Sequence, residues 1–208
     1  MFHVFRNSYD EFLSALLEHI EISFIAIVTA IVLAIFVTIF LNFYKEFSHI
    51  TIYLFSLMYA IPSFALFALL IPITGLGQTT AIIVLVIYAQ YILVRTFLSG
   101  LSQVDKHVIE AAKAMGMTKW QILLKVQFPL AQKSFFAGLR LASTAIIAIA
   151  TIGAMINAGG LGVILFDGLR TMNLTKLLWG IILTVGLSLL TNLIIYLVEE
   201  LFQKEYSV

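Results

Sequence analysis

Long apolar runs constrain this chain more than any other feature of its sequence. The first run, residues 22–41, holds twenty residues without a charged side chain, which matches the ~20 residues that a helix needs to cross the hydrocarbon core of a bilayer. Four further predominantly apolar runs follow at 51–70, 79–98, 134–156 and 177–198. A backbone in lipid must satisfy its hydrogen bonds internally. The runs therefore predict five transmembrane helices and an all-α membrane protein.

The composition indicates the same class. Of the 208 residues, 62% are hydrophobic and 11% are charged, and the net charge of +1 gives no basic field for nucleic acid. The chain has no cysteine, which excludes disulfides, thiolate catalysis and cysteine-bound metals. Asp10, Glu11, Glu18 and Glu21 precede the first run where a signal peptide would carry basic residues. We therefore expect the first run to be a retained span.

The segments beside the first two runs carry further expectations. Residues 1–20 mix polar and apolar residues and predict a short amphipathic helix at the membrane interface. Pro62 lies inside the second run and can kink it. A break is predicted from Ile71 onward, where Pro72 and Gly75 follow.

Small residues in the fourth run permit close approach of a neighbouring helix.

The longest polar interval, residues 100–133, predicts two short helices joined at a glycine. Asp105 is suited to cap the first helix, and Gly116 to end it in a left-handed conformation. One face of this helix should carry Val108, Ala111, Ala112 and Met115. The interval is therefore expected to be a helical elbow with a small-residue face.

The second helix of the elbow should begin at once. Thr118 and Gln121 have the Thr-x-x-Gln spacing of a capping box. Pro129 is expected to interrupt this helix before the fourth span.

The spacing of Glu110, Ala111, Ala112, Gly116 and Pro129 resembles the EAA loop of permease subunits of bacterial ABC importers. Val126 and Phe128 stand where that family usually has isoleucine and leucine, which are mild departures. The resemblance implies a type I ABC importer (MetI-like) permease fold. It also implies that the elbow is a coupling helix, which docks in a groove of a separate ATP-hydrolysing subunit.

Two further stretches are similar to the glycine betaine, carnitine and choline permeases. They are Ile61-Pro62-Ser63-Phe64 with its flanking residues, and Ala158-Gly159-Gly160-Leu161-Gly162. This resemblance implies uptake of a quaternary ammonium osmoprotectant. Such a cation can be held by aromatic faces. The candidate translocation path is Tyr59, Pro62, Phe64, Tyr88 and Tyr91, although packing or contact with lipid is the more usual role of any single aromatic ring in a membrane protein.

The family resemblance also implies partners. The working unit would contain two permease subunits, identical or paralogous, two ATPase subunits and an extracellular substrate-binding protein. Residues 157–176 would contribute to the docking surface for that protein, with Gly159, Gly160, Asp167 and Arg170 as candidates.

No catalytic residue or metal site is predicted. The sequence lacks a Walker A glycine loop, so ATP and Mg are expected in the partner ATPase and no cofactor is expected in this chain. The four histidines lack metal-ligand spacing and are expected to be solvated or interfacial: His3, His19, His49 and His107.

Lysine and arginine give an orientation. With the elbow in the cytoplasm, nine of these residues lie inside and only Arg6, Arg170 and Lys176 lie outside. The positive-inside rule then predicts an external N-terminus and an internal C-terminus in a bacterial plasma membrane.

Alternatives remain open. An ion-coupled secondary transporter or channel would work without an ATPase. Such transporters usually keep ionisable residues within the membrane at about 2.5–3.5 kcal/mol each, and the acidic residues here are expected outside the runs or at their ends. A small membrane enzyme would need convergent ionisable residues near one interface. An importer permease for methionine or another amino acid is a closer alternative, because the Ala-Gly-Gly-Leu-Gly run also resembles methionine permeases.

Overall fold

Helices form all the regular structure in the part of the chain that the structure describes. This computed structural model describes residues 9–205, with side chains to residue 203. The helices are α1 (Tyr9–Phe43), α2 (Ser48–Ala60), α3 (Ser63–Thr74), α4 (Gln78–Ser102), α5 (Lys106–Ala114), α6 (Lys119–Ile122), α7 (Phe128–Ala150), α8 (Leu161–Arg170) and α9 (Leu174–Glu205). Short 3-10 helices lie at Lys45–Phe47 and Thr151–Ile156, and a π-helix spans Leu123–Gln127.

Four helical runs within the described residues are long and apolar enough to cross a membrane: Tyr9–Phe43, Gln78–Ser102, Lys119–Ile156 and Leu174–Gln203. The stretch from Lys45 to Thr74 adds a fifth if its two helices, bent by 96° at the break between them, are counted as one span. Counted in that way, the number agrees with the five spans predicted from the sequence.

Helix α4 forms the centre of the bundle and packs between α1 and α7. Alanines 26, 30 and 34 of α1 are all fully buried, because a residue without a long side chain at every fourth position lets two helices approach closely. On α7, Gly138 lies directly against the Thr96 side chain of α4. The small residues of the fourth run therefore lie at a close helix contact, as expected.

Helix α1 differs from the prediction for the N-terminal segment. A separate interfacial helix was expected before residue 22, but α1 is continuous from Tyr9 to Phe43. Its first turns are not free at an interface, because Phe12 and Ala15 pack with Leu161 and Ile164 of α8. Residues 1–8 lie outside the described residues, and so does the expectation for His3.

The second run is two helices and not one kinked helix. Ile61 is extended, with φ −67° and ψ 131°, since the ring of a following proline disfavours helical conformation at the preceding residue. The break predicted from Ile71 lies further on, because α3 continues through Pro72 and ends at Gly75 with φ +81°. Pro72 lies in the last turn of α3, where its missing N–H removes only one helical hydrogen bond, so the helix continues through it.

Pro129 does not interrupt the elbow's second helix as predicted. It lies in the first turn of α7, after the π-helix. There the Phe128 N–H bonds to the Leu123 carbonyl, five residues back. A proline ring in a continuous α-helix would collide with the carbonyl four residues earlier. The wider π-turn keeps the chain helical across Pro129.

Helix α9 extends beyond the predicted end of the fifth span at residue 198, so the expected charged tail begins inside a helix. Glu199 is only 8% exposed and forms an ion pair with Arg140 of α7. Glu11, Glu18 and Glu21 likewise lie within a long helix, in the N-terminal part of α1. All four residues are outside the apolar runs 22–41 and 177–198, so the long helices extend past these runs and carry their acidic residues near their ends.

Candidate coupling surface and translocation path

The elbow's first helix has the ends that the sequence predicts. The Asp105 carboxylate accepts a hydrogen bond from the His107 backbone N–H at 2.8 Å. At the other end Gly116 has φ +79°, and its N–H donates to the Lys113 carbonyl at 2.9 Å. The Met117 N–H donates to the Ala112 carbonyl at 3.1 Å, which completes a Schellman motif. Asp105 and Gly116 are thus confirmed as the ends of α5.

The capping box of the second helix is confirmed as well. The Thr118 hydroxyl accepts from the Gln121 backbone N–H at 3.3 Å, and the Gln121 side-chain oxygen accepts from the Thr118 N–H at 2.8 Å. Both interactions depend only on residues three apart, so the sequence is sufficient to predict them.

The predicted small-residue face of α5 is partly buried in its own subunit and partly exposed to solvent. Ala112 is 2% exposed and faces its own subunit, which corrects the expectation that it docks onto a partner. Val108, Ala111 and Met115 lie on the outer side, and Met115 is 74% exposed. We call these three residues the α5 stripe. Apolar residues exposed together at the end of a bundle are typical of a protein–protein contact.

Glu110 lies beside the stripe in open solvent. Its side chain is 71% exposed and approaches His107 Nδ1 at 3.8 Å. An exposed pair of this kind contributes little to folding. Glu110 is therefore free to contact another molecule.

Aromatic packing and two side-chain amides fix the elbow to the end of α1. The rings of Phe43 and Trp120 are 4.7 Å apart. The Asn42 amide donates to the Gln127 side-chain oxygen at 3.4 Å, and the Gln127 amide donates to the Leu101 carbonyl at 3.5 Å. Trp120 was not predicted to hold the elbow in place. Only the presence of a large aromatic side chain in an otherwise polar interval could have indicated this role.

Three of the five candidate path residues form one cluster. The Tyr59 ring centroid lies 5.6 Å from that of Tyr88 and 5.1 Å from that of Tyr91. The Tyr88 hydroxyl donates to the Ile61 carbonyl, which the break before Pro62 leaves without a helical partner. Tyr88 therefore fixes the break, and Tyr59 and Tyr91 form the accessible part of the cluster.

The cluster has a cationic neighbour that the sequence analysis did not assign to it. The Arg95 guanidinium lies 5.5 Å from the Tyr91 ring centroid and donates to the Tyr91 hydroxyl. Arg95 makes no ion pair with any residue that the structure describes. Phe64, on α3, is 52% exposed and is not one of the stacked rings.

At the opposite end of the bundle, α1 caps helix α8. The Glu18 carboxylate accepts from the Gly160 N–H at 2.9 Å, and His19 Nδ1 accepts from the Leu161 N–H at 3.2 Å. The other ring nitrogen of His19 lies 3.1 Å from the Ile147 carbonyl. Because Nδ1 accepts, Nε2 carries the proton and donates to that carbonyl.

This arrangement corrects two expectations. His19 is 0% exposed and is neither solvated nor interfacial, unlike His49 and His107, which are exposed. Gly160 is buried, with φ +79°, and a Cβ there would lie 2.8 Å from His19 Nδ1. Gly160 is therefore a packing residue and does not form part of an outer docking surface.

The other three docking candidates line one open pocket of about 840 Å³: Gly159, Asp167 and Arg170. Asp167 accepts from Lys176 Nζ at 2.7 Å and from Arg170 at 2.9 Å, and Lys176 also reaches Glu11 at 3.0 Å. The hydrogen bond from Lys176, and to a smaller extent the one from Arg170, lower the pKa of the Asp167 carboxyl from its ordinary value. The network ties the start of α9 to α1 and α8.

The described residues contain no group of three or more histidine or acidic side chains that could hold a metal ion. Their polar clusters cap helices and join helix ends.

Comparisons with known proteins agree with this architecture. The chain is 33% identical over 188 residues to the carnitine transport permease protein OpuCB of Listeria monocytogenes, which covers 90% of this chain and 86% of that one. It is 30% identical to the glycine betaine/carnitine/choline transport system permease protein OpuCB of Bacillus subtilis. That match covers 88% of this chain and 84% of the Bacillus protein.

A solved structure has the same fold. A chain of the MetNI methionine ABC transporter, in an inward-facing conformation, matches with a TM-score of 0.81 at 22% identity and covers 92% of this chain and 95% of that one. The family described as binding-protein-dependent transport system inner membrane component matches residues 26–208. With its exposed elbow on a MetI-like helical bundle, the chain belongs to this family of ABC importer permeases.

Proposed function

We propose that this chain carries a quaternary ammonium osmoprotectant of the glycine betaine, carnitine or choline type into a bacterial cell, powered by a separate ATPase. The α5 stripe, with Glu110 beside it, is the observation that carries the proposal. The elbow leaves these side chains uncovered while its other side packs firmly on α1 and α4.

The cargo follows from the relatives and from the tyrosine cluster. Permeases named for carnitine, glycine betaine and choline match the chain at 30–33% identity over most of its length. Tyrosine faces attract quaternary ammonium groups, which cannot donate a hydrogen bond. Arg95 beside Tyr91 would pair with a carboxylate. A zwitterion such as glycine betaine or carnitine therefore fits Tyr59, Tyr91 and Arg95 better than choline does.

The ATPase would be coupled through the elbow. Two permease subunits, identical or paralogous, would each place an α5 stripe in a groove of one ATPase subunit. ATP and Mg would be held by the ATPase, because this chain has no glycine loop to hold the phosphates. Closure of the ATPase pair would draw the two elbows together and open the path outward, and hydrolysis would reverse this.

An extracellular binding protein would deliver the cargo to the opposite end of the bundle. The pocket lined by Gly159, Asp167 and Arg170 supports this assignment, because Arg170 is 81% exposed there and can contact another protein.

A matched pair of methionine variants tests the coupling surface. Met115 and Met172 are 74% and 87% exposed, and lie at the elbow and between α8 and α9. We expect Met115→Glu to abolish co-purification of the ATPase and ATP-driven uptake, because it places a charge in an apolar contact. Met172→Glu should keep the ATPase bound.

The same complex tests the cargo. With its binding protein present, ATPase stimulation should be strongest with glycine betaine or carnitine, weaker with choline and absent with methionine. Stimulation by methionine alone would overturn the cargo and leave the coupling intact. Uptake under an ion gradient without any ATPase would overturn the coupling.

A further inference from the structure

A pocket of about 550 Å³ lies where the elbow meets the bundle, between the end of α1, the start of α2, the end of α4 and the start of α5. We call it the elbow pocket. Ligand sites in proteins commonly have volumes of about 300–1,000 Å³. The elbow pocket is therefore large enough to hold a small molecule, and neither Tyr59 nor Tyr91 of the tyrosine cluster lines it.

Four basic side chains line the elbow pocket, and each comes from a different element. They are Lys45 after α1, His49 on α2, Arg95 on α4 and Lys106 on α5. All four residues are exposed, so a molecule in the pocket can reach them. The described residues that line the pocket include no acidic side chain. The lining is thus uniformly basic in its charged groups.

The acidic residues next to this lining do not belong to it. Glu46 follows Lys45 in sequence, but it lines an adjoining pocket and not this one. Asp105 precedes Lys106, and its carboxylate caps α5 by accepting from the His107 N–H at 2.8 Å. None of the four basic residues makes an ion pair with any residue that the structure describes. Their charge is therefore available to a ligand.

The positive-inside rule accounts for basic residues on one side of the membrane, but it does not require them to converge on one cavity. Like charges around a cavity repel one another, and a bound anion removes that repulsion. The start of α2 adds to the positive field, because Ser48 lines the pocket and no side chain caps this helix. The elbow pocket therefore complements an anion.

We propose that the elbow pocket binds a phosphate group. Lys45, Arg95 and Lys106 form charge-assisted hydrogen bonds with its oxygens. Three positive charges favour a phosphate with two or more negative charges over a monovalent anion such as chloride. Because Lys45 follows α1 and Lys106 begins α5, the bound phosphate fixes the elbow to the bundle at a second point, besides the contact between Phe43 and Trp120.

Thermal unfolding of the purified full-length chain in lipid-free detergent tests the site. One probe is pyrophosphate, titrated against sodium chloride at constant ionic strength. The other is phosphatidylglycerol in mixed micelles, with phosphatidylcholine as its neutral counterpart. We expect a saturable rise of the unfolding midpoint with a phosphate probe and none with chloride or phosphatidylcholine. A rise with pyrophosphate assigns the phosphate to a soluble anion, and a rise with phosphatidylglycerol alone assigns it to a lipid headgroup.

Lysine variants separate the pocket from general attraction to basic residues. Lys45→Gln and Lys106→Gln should each weaken the apparent affinity for the responding probe about fivefold, the effect of one charge-assisted hydrogen bond at an exposed site. Arg95 is left unchanged, because the proposed function assigns it to the cargo. Lys133→Gln is the matched control, since it removes an exposed lysine outside the pocket, and it should leave the affinity unchanged.

Backbone hydrogen exchange locates the bound phosphate independently of these variants. The responding probe should slow exchange at residues 45–52 and 106–109 of the wild-type chain. Equal unfolding midpoints of all variants without a probe show that the fold is intact.

Any of three results would overturn the site. The absence of a saturable rise with either phosphate probe would show that the pocket holds no phosphate. Unchanged affinity in both Lys45→Gln and Lys106→Gln would place the bound anion elsewhere. An equal loss of affinity in Lys133→Gln would show diffuse attraction to basic residues and no defined pocket.

Discussion

At the scale of single residues, His19 joins helix α1 to α7 and to the start of α8. Both ring nitrogens of His19 are used, one on the Leu161 N–H and one on the Ile147 carbonyl. A side chain with other geometry would leave at least one of these backbone groups unpaired, at about 1–3 kcal/mol each.

Gly160→Ala should therefore destabilise the chain. An alanine at φ +79° and ψ −175°, a conformation that almost only glycine adopts, costs about 1–3 kcal/mol, and its Cβ also displaces the His19 ring. We expect a lower thermal unfolding midpoint of the purified chain in detergent. Gly186→Ala is the matched control, since a Cβ there meets nothing within 4 Å and an alanine within a helix gains about 0.5–1 kcal/mol. Equal midpoints for the two variants would contradict the His19 contact.

The sequence predicts some of these residues and not others for a physical reason. Asp105, Gly116, Thr118 and Gln121 act on neighbours two to five residues away, so local patterns reveal them. His19 contacts residues 128 and 142 positions away, and no local pattern distinguishes it from a solvated histidine.

At the scale of elements, the break between α2 and α3 depends on a neighbouring helix. Pro62 makes a break predictable, but the 96° bend arises where Tyr88 of α4 holds the Ile61 carbonyl. The π-helix before Pro129 differs, because there the proline ring itself excludes the α-helical geometry and the wider turn accommodates it. Local sequence thus predicts where these helices are irregular, and at Pro62 the contact with a neighbouring helix holds the geometry.

Tyr88→Phe should loosen this break. The variant keeps the ring and leaves the Ile61 carbonyl without its donor, which costs about 1–3 kcal/mol. We expect faster backbone hydrogen exchange at residues 59–66 and reduced uptake. Tyr196→Phe changes a tyrosine that is 55% exposed and serves as the control. If both variants exchange at the wild-type rate, the hydroxyl does not hold the break.

At the scale of the whole molecule, composition predicts a helical membrane protein and the elbow motif predicts its family. The family match and the solved relative support both. The orientation in the membrane is still a prediction, because it rests on lysine and arginine counts and not on a contact within the structure.

Single cysteines test the orientation directly, since the chain has none of its own. Ser102→Cys places a thiol beside the elbow, and Met172→Cys places one between α8 and α9. A membrane-impermeant maleimide should label Met172→Cys in intact cells and label Ser102→Cys only after the membrane is opened. The reverse pattern would place the elbow outside and remove the basis for ATPase coupling.

Helix α1 has a mechanical consequence. Its 35 residues give a rod of about 52 Å, far longer than the ~30 Å apolar layer of a bilayer. One end holds the start of α8 through Glu18 and His19, and the other rests on Trp120. A helix is stiff along its axis, so a displacement of α8 reaches the elbow without crossing the hinge at Pro62. The subunit thus has one stiff route and one hinged route between the two membrane faces.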